Sequence, residues 1–474
     1  MSPMPIARAP RRPNVLLIVL DAVRADRLSC YGYHRPTTPH LERLAEEAWL
    51  FEHAFAAAPW TPPSHASLFT GTYPSRHGVD VDENLHLGPD LPTLAGLLAE
   101  AGYATFAVIP DAHLSQARGL DRGFRETVEL FRIPYVSPEP VAALALARNL
   151  LLGRDGRAWH AARLLKRWIH RHVQTSDAPF CAFVNFKTAH SSYRAPRAFR
   201  RRFALRPGPD QDPARLRRYA NGGGYPYMVG GLPMSARDLA VVASWYEAAI
   251  AYLDHRVGDL LGFLRRLGVD DRTLVIVTAD HGENFGDHSL AYHLFCLYDS
   301  LLRVPLLVRL PGAARGGRRL RGLASLTDVL PTVLEVVGLD PARAPEVQGR
   351  SLLASDLERR PAVFAEFGRP HYMLKRLAAK FPGHDFSRFD RALRCIRTAE
   401  FKLIVGSDGS EELYHLPSDP GETTNVVARH PAEAARLRRA LGEWSASFRE
   451  ARPGAPAPDD DAVVLKNLED LGYF

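Results

Sequence analysis

The chain has 474 residues, 46% of them apolar, which is enough for one large domain with a sizeable core and a second, smaller one. Its formal net charge of +7 favours an anionic substrate, but no basic run is interleaved with aromatic residues, which argues against a nucleic-acid-binding protein. The four cysteines are too far apart for a zinc motif or a disulfide framework.

The N-terminal stretch has basic residues followed by a short apolar run, residues 15–20. This run is too short for the core of a signal peptide, and it ends in Asp21 rather than in small residues. No stretch approaches the roughly 18 consecutive apolar residues of a membrane span, so we expect no transmembrane segment. The sequence therefore predicts a cytoplasmic protein.

Short, continuous apolar runs alternate with helical patterns along the chain. The runs are rich in valine, isoleucine and phenylalanine, which is typical of strands buried on both faces. They are VLLIVLD (15–21), YATFAVIPD (103–111), FCAFVNFKTAH (180–190), TLVIVTADHGE (273–283) and VPLLVRLP (304–311). Helical patterns lie between them at 93–102 and 245–268. Alternation of strands and helices is typical of α/β proteins. We therefore predict an α/β fold in which helices sandwich a mostly parallel sheet.

Several of the predicted strands end in polar or charged residues. In a parallel sheet, ligands bind outside the carboxyl ends of the strands. A buried strand has no packing reason to end in charged groups so often, so we expect a functional site at this edge. The residues concerned are Asp21, Asp111, Lys187, His190, Asp280 and His281.

The pattern changes in two further parts of the chain. Residues 191–235, rich in arginine, proline and glycine, are predicted to be an insertion or lid loop over the site. Strand-like pieces over 391–416 and a charged helical segment over 430–448 indicate a smaller α+β unit. We predict a catalytic domain over 11–355 and a C-terminal sheet subdomain with a tail helix over 356–474.

Two carboxylates and an imidazole at the predicted sheet edge form a candidate metal site. Asp21, Asp280 and His281 offer oxygen and nitrogen ligands without sulfur, a set that suits Mn²⁺ or Zn²⁺ better than Mg²⁺. Asp280 and His281 follow one strand in a turn, where neighbouring side chains can both face inward. The alternative is that Asp280 caps a turn and His281 is an ordinary polar residue.

Thr61 stands directly before Pro62 and Pro63, which fit the first turn of a short helix that ends at Gly71. This places the threonine at a helix N-terminus, where N–H groups and the helix dipole favour an anion. Two interpretations remain open. As a cap, the hydroxyl would satisfy backbone N–H groups. As a nucleophile, it would bind the metal at the sheet edge, which lowers the pKa of a coordinated hydroxyl.

Long stretches of the sequence resemble sulfatases of the alkaline-phosphatase superfamily. The stretches are NVLLIVLDAVRADRLSCYGYHRPTTPHLERLAEEAWLFEHAFAAAPWTPPSHASLFTGTYPSRHGV, VIVTADHGENFGDH, YDSLLRVPLLVRLPG, LTDVLPTVLEVVGL, VQGRSLL and ELYHLPSDPGETTNVV. They cover nearly the whole chain apart from residues 130–180 and 200–235. The resemblance implies a large α/β domain with a smaller C-terminal sheet domain. It also implies that His190 and His293 contact the sulfate or phosphate group.

The sequence departs from the sulfatase pattern around the predicted nucleophile. Sulfatases carry a Cys/Ser-x-Pro-x-Arg motif whose first residue becomes formylglycine, whereas here the motif begins with Thr61 and ends with His65. Oxidation of threonine would give a ketone and not the aldehyde. Ala22 replaces the usual second aspartate, and His281 replaces the usual asparagine. These differences resemble the phosphodiesterase and phosphoethanolamine- or glycerophosphate-transferase branches of the superfamily, where a metal-bound threonine attacks phosphorus.

These features predict a metal-dependent ester hydrolase or transferase in which Thr61 attacks the phosphorus of a small phosphodiester or phosphomonoester. His190 and His293 are predicted to bind the non-bridging oxygens, and one of them to protonate the leaving group. Mn or Zn is the expected cofactor, with Ca or Mg if the protein behaves as a conventional sulfatase.

Three other residues are secondary candidates for binding the anion, namely Arg24, His65 and Lys187. Arg24 also fits a surface ion pair with Asp26. Two other functions remain open: a true sulfuric ester hydrolase that works without formylglycine, and an inactive anion-binding protein. The sequence leaves open the leaving alcohol, the choice between hydrolysis and transfer, and the oligomeric state.

Overall fold

A computed structural model of the chain describes residues 12–81, 85–132, 155, 157–312 and 316–448. In chain order its strands are β1 (Asn14–Leu20), β2 (Trp49–Phe55), β3 (Ala104–Ile109), β4 (Glu126–Glu129), β5 (Phe180–Phe186), β6 (Thr273–Thr278), β7 (Asn284–Phe285), β8 (Ala291–Tyr292), β9 (Arg303–Val304), β10 (Leu306–Arg309), β11 (Arg318–Ser325), β12 (Val363–Phe367), β13 (Leu393–Arg397), β14 (Phe401–Gly406) and β15 (Glu411–His415). The large sheet has the order β11-β2-β10-β6-β1-β5-β3-β4, with β9 beside β2, and β7 pairs with β8 in a separate ribbon.

The described helices pack around this sheet and along one another. They are α1 (Pro39–Ala45), α2 (Thr61–Thr70), α3 (Pro74–His77), α4 (Leu94–Glu100), α5 (Ala158–Thr175), α6 (Arg197–Phe203), α7 (Pro213–Arg218), α8 (Gly224–Met228), α9 (Ala236–Arg266), α10 (Asp299–Leu302), α11 (Val329–Val336), α12 (His371–Lys380) and α13 (Pro431–Ala446). None of these helices is long and apolar enough to cross a membrane.

Strands β1, β5 and β6 form the buried centre of the large sheet. β1 pairs in parallel with β5, where Val15 lies opposite Cys181, and with β6, where Asn14 lies opposite Thr273. Every residue of the three strands is buried, which explains why their sequences are continuous apolar runs. Because the three strands run in one direction, their carboxyl ends meet at one edge of the sheet, as the sequence predicts.

The predicted α/β fold with a mostly parallel sheet is confirmed, with differences at the sides of the sheet. β10 runs antiparallel to both β6 and β2. Strands β2, β4 and β11 are not among the predicted runs. β11 begins with the exposed Arg318 and Arg319 and is buried mainly in its second half. A search for continuous apolar runs misses such a strand because only part of it faces the core.

Helix α9 is longer than its apolar pattern indicates, since it begins at Ala236 whereas the pattern predicts residues 245–268. Its start is fixed by a capping box. The Ser235 hydroxyl accepts a hydrogen bond from the Asp238 N–H at 3.1 Å, and the Asp238 carboxylate accepts one from the Ser235 N–H at 3.0 Å.

Residues 191–235 contain short helices rather than the predicted loop. Helices α6 and α7 pack along α9. The Phe199 ring of α6 lies 5.2 Å from the Tyr252 ring of α9, and Leu216 of α7 is completely buried. The prediction of a loop is wrong because a few apolar residues among the many arginines are enough to anchor short helices on α9.

The C-terminal part forms a second, antiparallel sheet of β12, β13, β14 and β15 in that order. Helix α13 packs on β13 and β14, and six buried apolar side chains form a separate core there. The predicted smaller α+β unit is therefore confirmed, while the domain boundary between 355 and 356 stays a prediction. The predicted tail helix, residues 459–474, lies outside the described residues.

A buried cluster of three charges joins the small sheet to the large domain. Lys402 of β14 is completely buried, and its Nζ lies 2.7 Å from both Asp299 Oδ1 and Glu422 Oε1. Asp299 is the first residue of α10 in the large domain. Asp299 Oδ2 also lies 3.4 Å from Arg397 Nε, so removing Lys402 leaves Asp299 with one cation, whereas the buried Glu422 loses the lysine that balances its charge.

We expect the Lys402→Met variant to lose about 3–5 kcal/mol of unfolding free energy, the usual cost of breaking a buried ion cluster. Urea unfolding of the variant and the parent measures this difference. The matched control is Lys375→Met, since Lys375 is exposed on α12, and its change should stay within about 0.5 kcal/mol. Equal losses in both variants would contradict a structural role for the cluster.

Candidate active site

The ends of β1 and β6 bring Asp21, Asp280 and His281 together. One potential ligand atom from each of the three buried side chains lies within 4.8 Å of the others. Asp280 Oδ1 accepts hydrogen bonds from the N–H groups of Ala22 at 3.1 Å and His281 at 3.0 Å. Asp280 thus fixes the backbone that follows both strands, and this adjacency matches the metal site predicted from sequence.

The unpartnered atoms in this cluster fit a divalent cation. Asp21 Oδ2 accepts from Asn185 Nδ2 at 3.1 Å, whereas Asp21 Oδ1 and Asp280 Oδ2 are buried without a hydrogen-bond partner. Burial and the charge of Asp280 raise the pKa of Asp21 well above its usual value. Two adjacent carboxylates with free oxygens in a buried site need a positive charge between them to remain ionised.

His281 is held in the form that ligates metals. Its Nδ1 lies 2.8 Å from the Gly282 carbonyl oxygen, so Nδ1 carries the proton and Nε2 offers a lone pair. Burial lowers the pKa of His281 to about 4, which keeps the ring neutral. His281 Nε2 lies 3.4 Å from Asp280 Oδ2 and 3.9 Å from Asp21 Oδ1. A ring nitrogen and two carboxylate oxygens therefore converge on one point.

Thr61 is the first residue of α2, and its hydroxyl faces this cluster. Thr61 Oγ1 lies 3.2 Å from His281 Nε2, and the side chain is almost completely buried. Trp60 occupies the N-cap position, and α2 ends where Gly71 adopts φ 68°. The predicted helix after Thr61 is confirmed.

Thr61 does not occupy the cap position of α2. Trp60 is the N-cap and Thr61 the first helical residue, so Pro62 and Pro63 stand at the second and third helical positions and offer no N–H there. Thr61 makes no capping bond in this structure. The same prolines remove two of the donors that a helix N-terminus usually offers to an anion. Binding of an anion beside Thr61 therefore depends on side chains more than the sequence suggests.

His65 lies between Thr61, the candidate nucleophile, and Asp280, a candidate metal ligand. Its Nδ1 lies 2.9 Å from the Thr61 carbonyl oxygen and 3.5 Å from Asp280 Oδ2. The ring is completely buried and packs edge-on against Phe69 and Phe183. His65 thus contacts the backbone of Thr61 through Nδ1, and its predicted contact with the anion stays a prediction.

His190 and His293 lie side by side next to the cluster. Their ring centroids are 4.8 Å apart, and the His293 ring stacks on the His281 ring at 4.4 Å. Burial, assisted by the positive charge of Lys187, lowers the pKa of His190 well below its usual value. Burial lowers the pKa of His293 to about 3. Both rings are therefore neutral, and their contact with a sulfate or phosphate group stays a prediction.

Glu283 lies between His293 and Tyr193, and it is not among the residues predicted from the sequence. Its Oε2 lies 2.8 Å from His293 Nδ1, and its Oε1 accepts a hydrogen bond from the Tyr193 hydroxyl at 2.8 Å. Tyr193 follows His190 in the same turn, with an unusual φ of 56°. Burial raises the pKa of Glu283 to about 8, which favours a protonated carboxyl beside the neutral His293 ring. The signal in the sequence is the acidic residue of the DHGE run at a buried strand end.

Lys187 and Arg24 already have acidic partners. Lys187 Nζ donates a hydrogen bond to Asp111 Oδ2. The positive charge of Lys187 is close to the two histidines, but the Asp111 carboxylate already balances it. Arg24 donates to Asp26 at 2.8 Å and to Asp287 at 2.9 Å, and it also contacts the Glu283 carbonyl at 3.0 Å. The predicted pairing of Arg24 with Asp26 is thus present, with Arg24 buried and Asp26 exposed.

Comparison with known proteins shows which family the chain belongs to. A family model described as Sulfatase matches residues 13–339, more than two thirds of the chain. The chain belongs to the sulfatase family. A second model, described as N-sulphoglucosamine sulphohydrolase, C-terminal, matches residues 286–445 of this sulfatase-family chain. Membership makes the protein a sulfuric or phosphoric ester hydrolase, and sulfatases generally bind a divalent metal ion.

Relatives and solved structures agree with this family. The chain is 27% identical to the uncharacterized sulfatase YidJ of Escherichia coli, covering 88% of this chain and 83% of the relative. It is 26% identical to the choline-sulfatase of Rhizobium meliloti, covering 90% and 85%. The phosphonate monoester hydrolase of Agrobacterium radiobacter matches with a TM-score of 0.73 and 25% identity, covering 92% of this chain and 96% of that one. The predicted sulfatase resemblance is confirmed.

Proposed function

We propose that this sulfatase-family protein is a metal-dependent phosphate ester hydrolase or transferase with Thr61 as its nucleophile. The observation that carries the proposal is the 3.2 Å contact of Thr61 Oγ1 with His281 Nε2, beside two buried carboxylate oxygens without partners. A threonine cannot be converted to the formylglycine aldehyde, and this one has no capping bond to explain it. A hydroxyl that acts directly on the ester is the function that remains for it.

Asp21, Asp280 and His281 would hold the divalent ion, and their oxygen and nitrogen donors favour Mn²⁺ or Zn²⁺. When bound, the ion supplies a Lewis acid that lowers the pKa of a neighbouring hydroxyl and balances the two carboxylates. The hydrogen bond from His281 Nδ1 to Gly282 orients the ring so that Nε2 faces Thr61. His65 holds the Thr61 carbonyl, which fixes the backbone that carries the hydroxyl.

The reaction that fits these residues has two displacements. Thr61 Oγ1 loses its proton to solvent and attacks phosphorus, and the bond from phosphorus to the leaving oxygen breaks. An anionic ester raises the pKa of the neighbouring His190 and His293 rings, so one of them can protonate the leaving oxygen. Water or an acceptor alcohol then attacks phosphorus and releases the Thr61 oxygen. The choice of this second nucleophile separates hydrolysis from transfer.

The comparisons support phosphorus as well as sulfur as the reacting atom. The solved relative from Agrobacterium radiobacter is a phosphonate monoester hydrolase, whereas the relative from Rhizobium meliloti is a choline-sulfatase. A sulfuric ester hydrolase that works without formylglycine is therefore the second candidate function. The threonine at position 61 favours a phosphate ester as the substrate. Sulfatases attack sulfate esters with a formylglycine aldehyde, and threonine cannot be converted to that aldehyde.

We expect the protein, with Mn²⁺ or Zn²⁺ added, to turn over an aryl phosphate mono- or diester faster than the sulfate of the same aryl alcohol. The expected difference in kcat/KM is on the order of tenfold or more, about 1.4 kcal/mol in transition-state free energy. The phosphate monoester, the phosphate diester and the sulfate all release the same aryl alcohol, so one assay measures the turnover of each. Thr61→Ala should abolish both activities, which controls for contaminating enzymes. A faster sulfate reaction would overturn the phosphate assignment.

A separate prediction concerns Glu283, which we infer orients His293 for proton transfer. Glu283→Gln is expected to lower kcat by about 10–100-fold with little change in KM, because an amide holds the His293 ring less strictly. Steady-state kinetics give both parameters, and metal content should stay at the parental level. Tyr193→Phe removes only one of the bonds to the same carboxylate and should have the smaller effect. Parental kcat in Glu283→Gln would contradict this role.

A further inference from the structure

Residues 197–218, which we call the arginine strip, concentrate positive charge on helices α6 and α7. The strip contains eight arginines and two aspartates, a net charge of +6, whereas the whole chain of 474 residues carries a net charge of +7. The general arginine richness of the chain does not produce such a concentration. The strip therefore carries a local excess of six positive charges within 22 residues.

The charges of the strip are exposed and uncompensated. Among the described residues, no carboxylate lies within 4.0 Å of seven of its eight guanidinium groups, and the eighth, Arg215, pairs with Asp238 at 3.0 Å. Repulsion among unpaired like charges disfavours such a surface unless an anionic partner covers it. The seven exposed arginines are Arg197, Arg200, Arg201, Arg202, Arg206, Arg217 and Arg218.

The strip packs along α9, which distributes its charges over several turns of that helix. In α6, Arg197, Arg200 and Arg201 have the spacing of one helix face, while Phe203 is buried. The strip contacts α9 at Tyr252 through Phe199 and at Asp238 through Arg215. These two points on α9 are 14 residues apart, so the strip extends over about 21 Å. This length suits an extended anionic surface more than a single small anion.

The apolar residues of the strip indicate which anionic surface it fits. Leu205 is 49% exposed, and together with Tyr372 it accounts for the exposed large apolar side chains among the described residues. Binding to single-stranded nucleic acid uses exposed aromatic rings, but the strip's aromatic residues Phe199 and Phe203 pack inward. Arginines around an outward aliphatic side chain are typical of segments that lie on membranes.

We propose that the arginine strip binds the surface of an anionic phospholipid membrane, with Leu205 inserted among the head groups. The strip leads directly into Tyr219, whose carbonyl oxygen accepts a hydrogen bond from the Tyr292 hydroxyl, and Tyr292 precedes His293. Membrane binding would therefore place the candidate active site beside a lipid surface. The inference does not depend on the reaction proposed above, since it rests on charge and exposure alone.

Co-sedimentation of the full chain with vesicles tests this proposal. We expect binding to mixed phosphatidylcholine and phosphatidylglycerol vesicles, little binding to pure phosphatidylcholine, and weakening with salt. The triple variant Arg197→Gln, Arg200→Gln and Arg201→Gln should lower the partition coefficient on the order of 100-fold, since each basic group contributes a factor of about five. Its turnover of a water-soluble aryl ester should equal that of the parent.

A charge-matched control separates the strip from net charge. The triple variant Arg167→Gln, Arg429→Gln and Arg439→Gln removes three exposed arginines outside the strip and should bind vesicles nearly as the parent does. Leu205→Ser should also weaken binding while leaving the salt dependence unchanged. Three results would overturn the proposal: no binding to anionic vesicles, equal loss in both triple variants, or strip-dependent binding to DNA or heparin without binding to vesicles.

Discussion

Thr61→Ala is expected to lower kcat by on the order of 10³-fold or more, because the variant loses the oxygen that attacks the ester. Thr61 makes no capping bond, so the unfolding free energy should change by less than about 1 kcal/mol. Thr61→Ser keeps a hydroxyl at the same position and should retain appreciable activity. Steady-state kinetics and thermal unfolding of the three proteins measure these effects.

Thr93 provides the matched control for this experiment. Its hydroxyl caps α4 by accepting a hydrogen bond from the Gly96 N–H at 3.1 Å, far along the chain from the candidate site. Thr93→Ala should cost about 1 kcal/mol of stability and leave kcat unchanged, the opposite pattern to Thr61→Ala. Mass spectrometry after an acid quench should find a phosphoryl group on the peptide that contains Thr61. A folded Thr61→Ala variant within about tenfold of parental kcat would refute the nucleophile.

The second large effect is expected for Asp280→Asn, which should lose the bound metal and lower kcat by on the order of 10²–10³-fold. Elemental analysis of protein purified without chelator should find Mn or Zn in the parent and neither in the variant. Calcium in place of both metals would count against the proposed donor set. Asp254→Asn is the control, since Asp254 is a buried carboxylate that accepts from the Leu41 N–H at 2.8 Å, and it should retain metal.

The same variant should behave differently once the metal is removed. In chelator-treated protein, Asp21 and Asp280 face each other with free oxygens, and their repulsion contributes to the raised pKa of Asp21. Asp280→Asn removes one of these charges. We therefore expect its Tm to exceed that of the chelated parent, while the metal-loaded parent has the highest Tm of the three. A lower Tm than the chelated parent would show that the carboxylates do not repel one another.

The central strands and the grouping of Asp21, Asp280 and His281 are the parts that the sequence predicts best. β1 and β6 are buried on both faces, so their composition reveals them without knowledge of their neighbours. Asp21 directly follows β1 and Asp280 lies two residues after the end of β6, and parallel pairing brings such residues together. The cluster therefore follows from local patterns and one general rule of sheet geometry.

Other features depend on contacts between distant parts of the chain, which no local pattern reports. Tyr193 and Glu283 are 90 positions apart, and only the fold shows that they share a hydrogen bond. His65 stands where the sulfatase motif has an arginine, and only the fold shows that its ring contacts the Thr61 carbonyl oxygen. The segment 191–235 has loop-like composition, but its few apolar residues gain enough from packing on α9 to become helical.

Pro62 and Pro63 have a consequence beyond the absence of two hydrogen-bond donors. Their rings fix two backbone φ angles immediately after Thr61, in the unfolded chain as well as in the folded protein. Much of the conformational entropy of this segment is therefore already lost before folding begins. The backbone next to the proposed nucleophile is thus restricted by covalent structure, so the surrounding side chains have less freedom to restrain when they position Thr61.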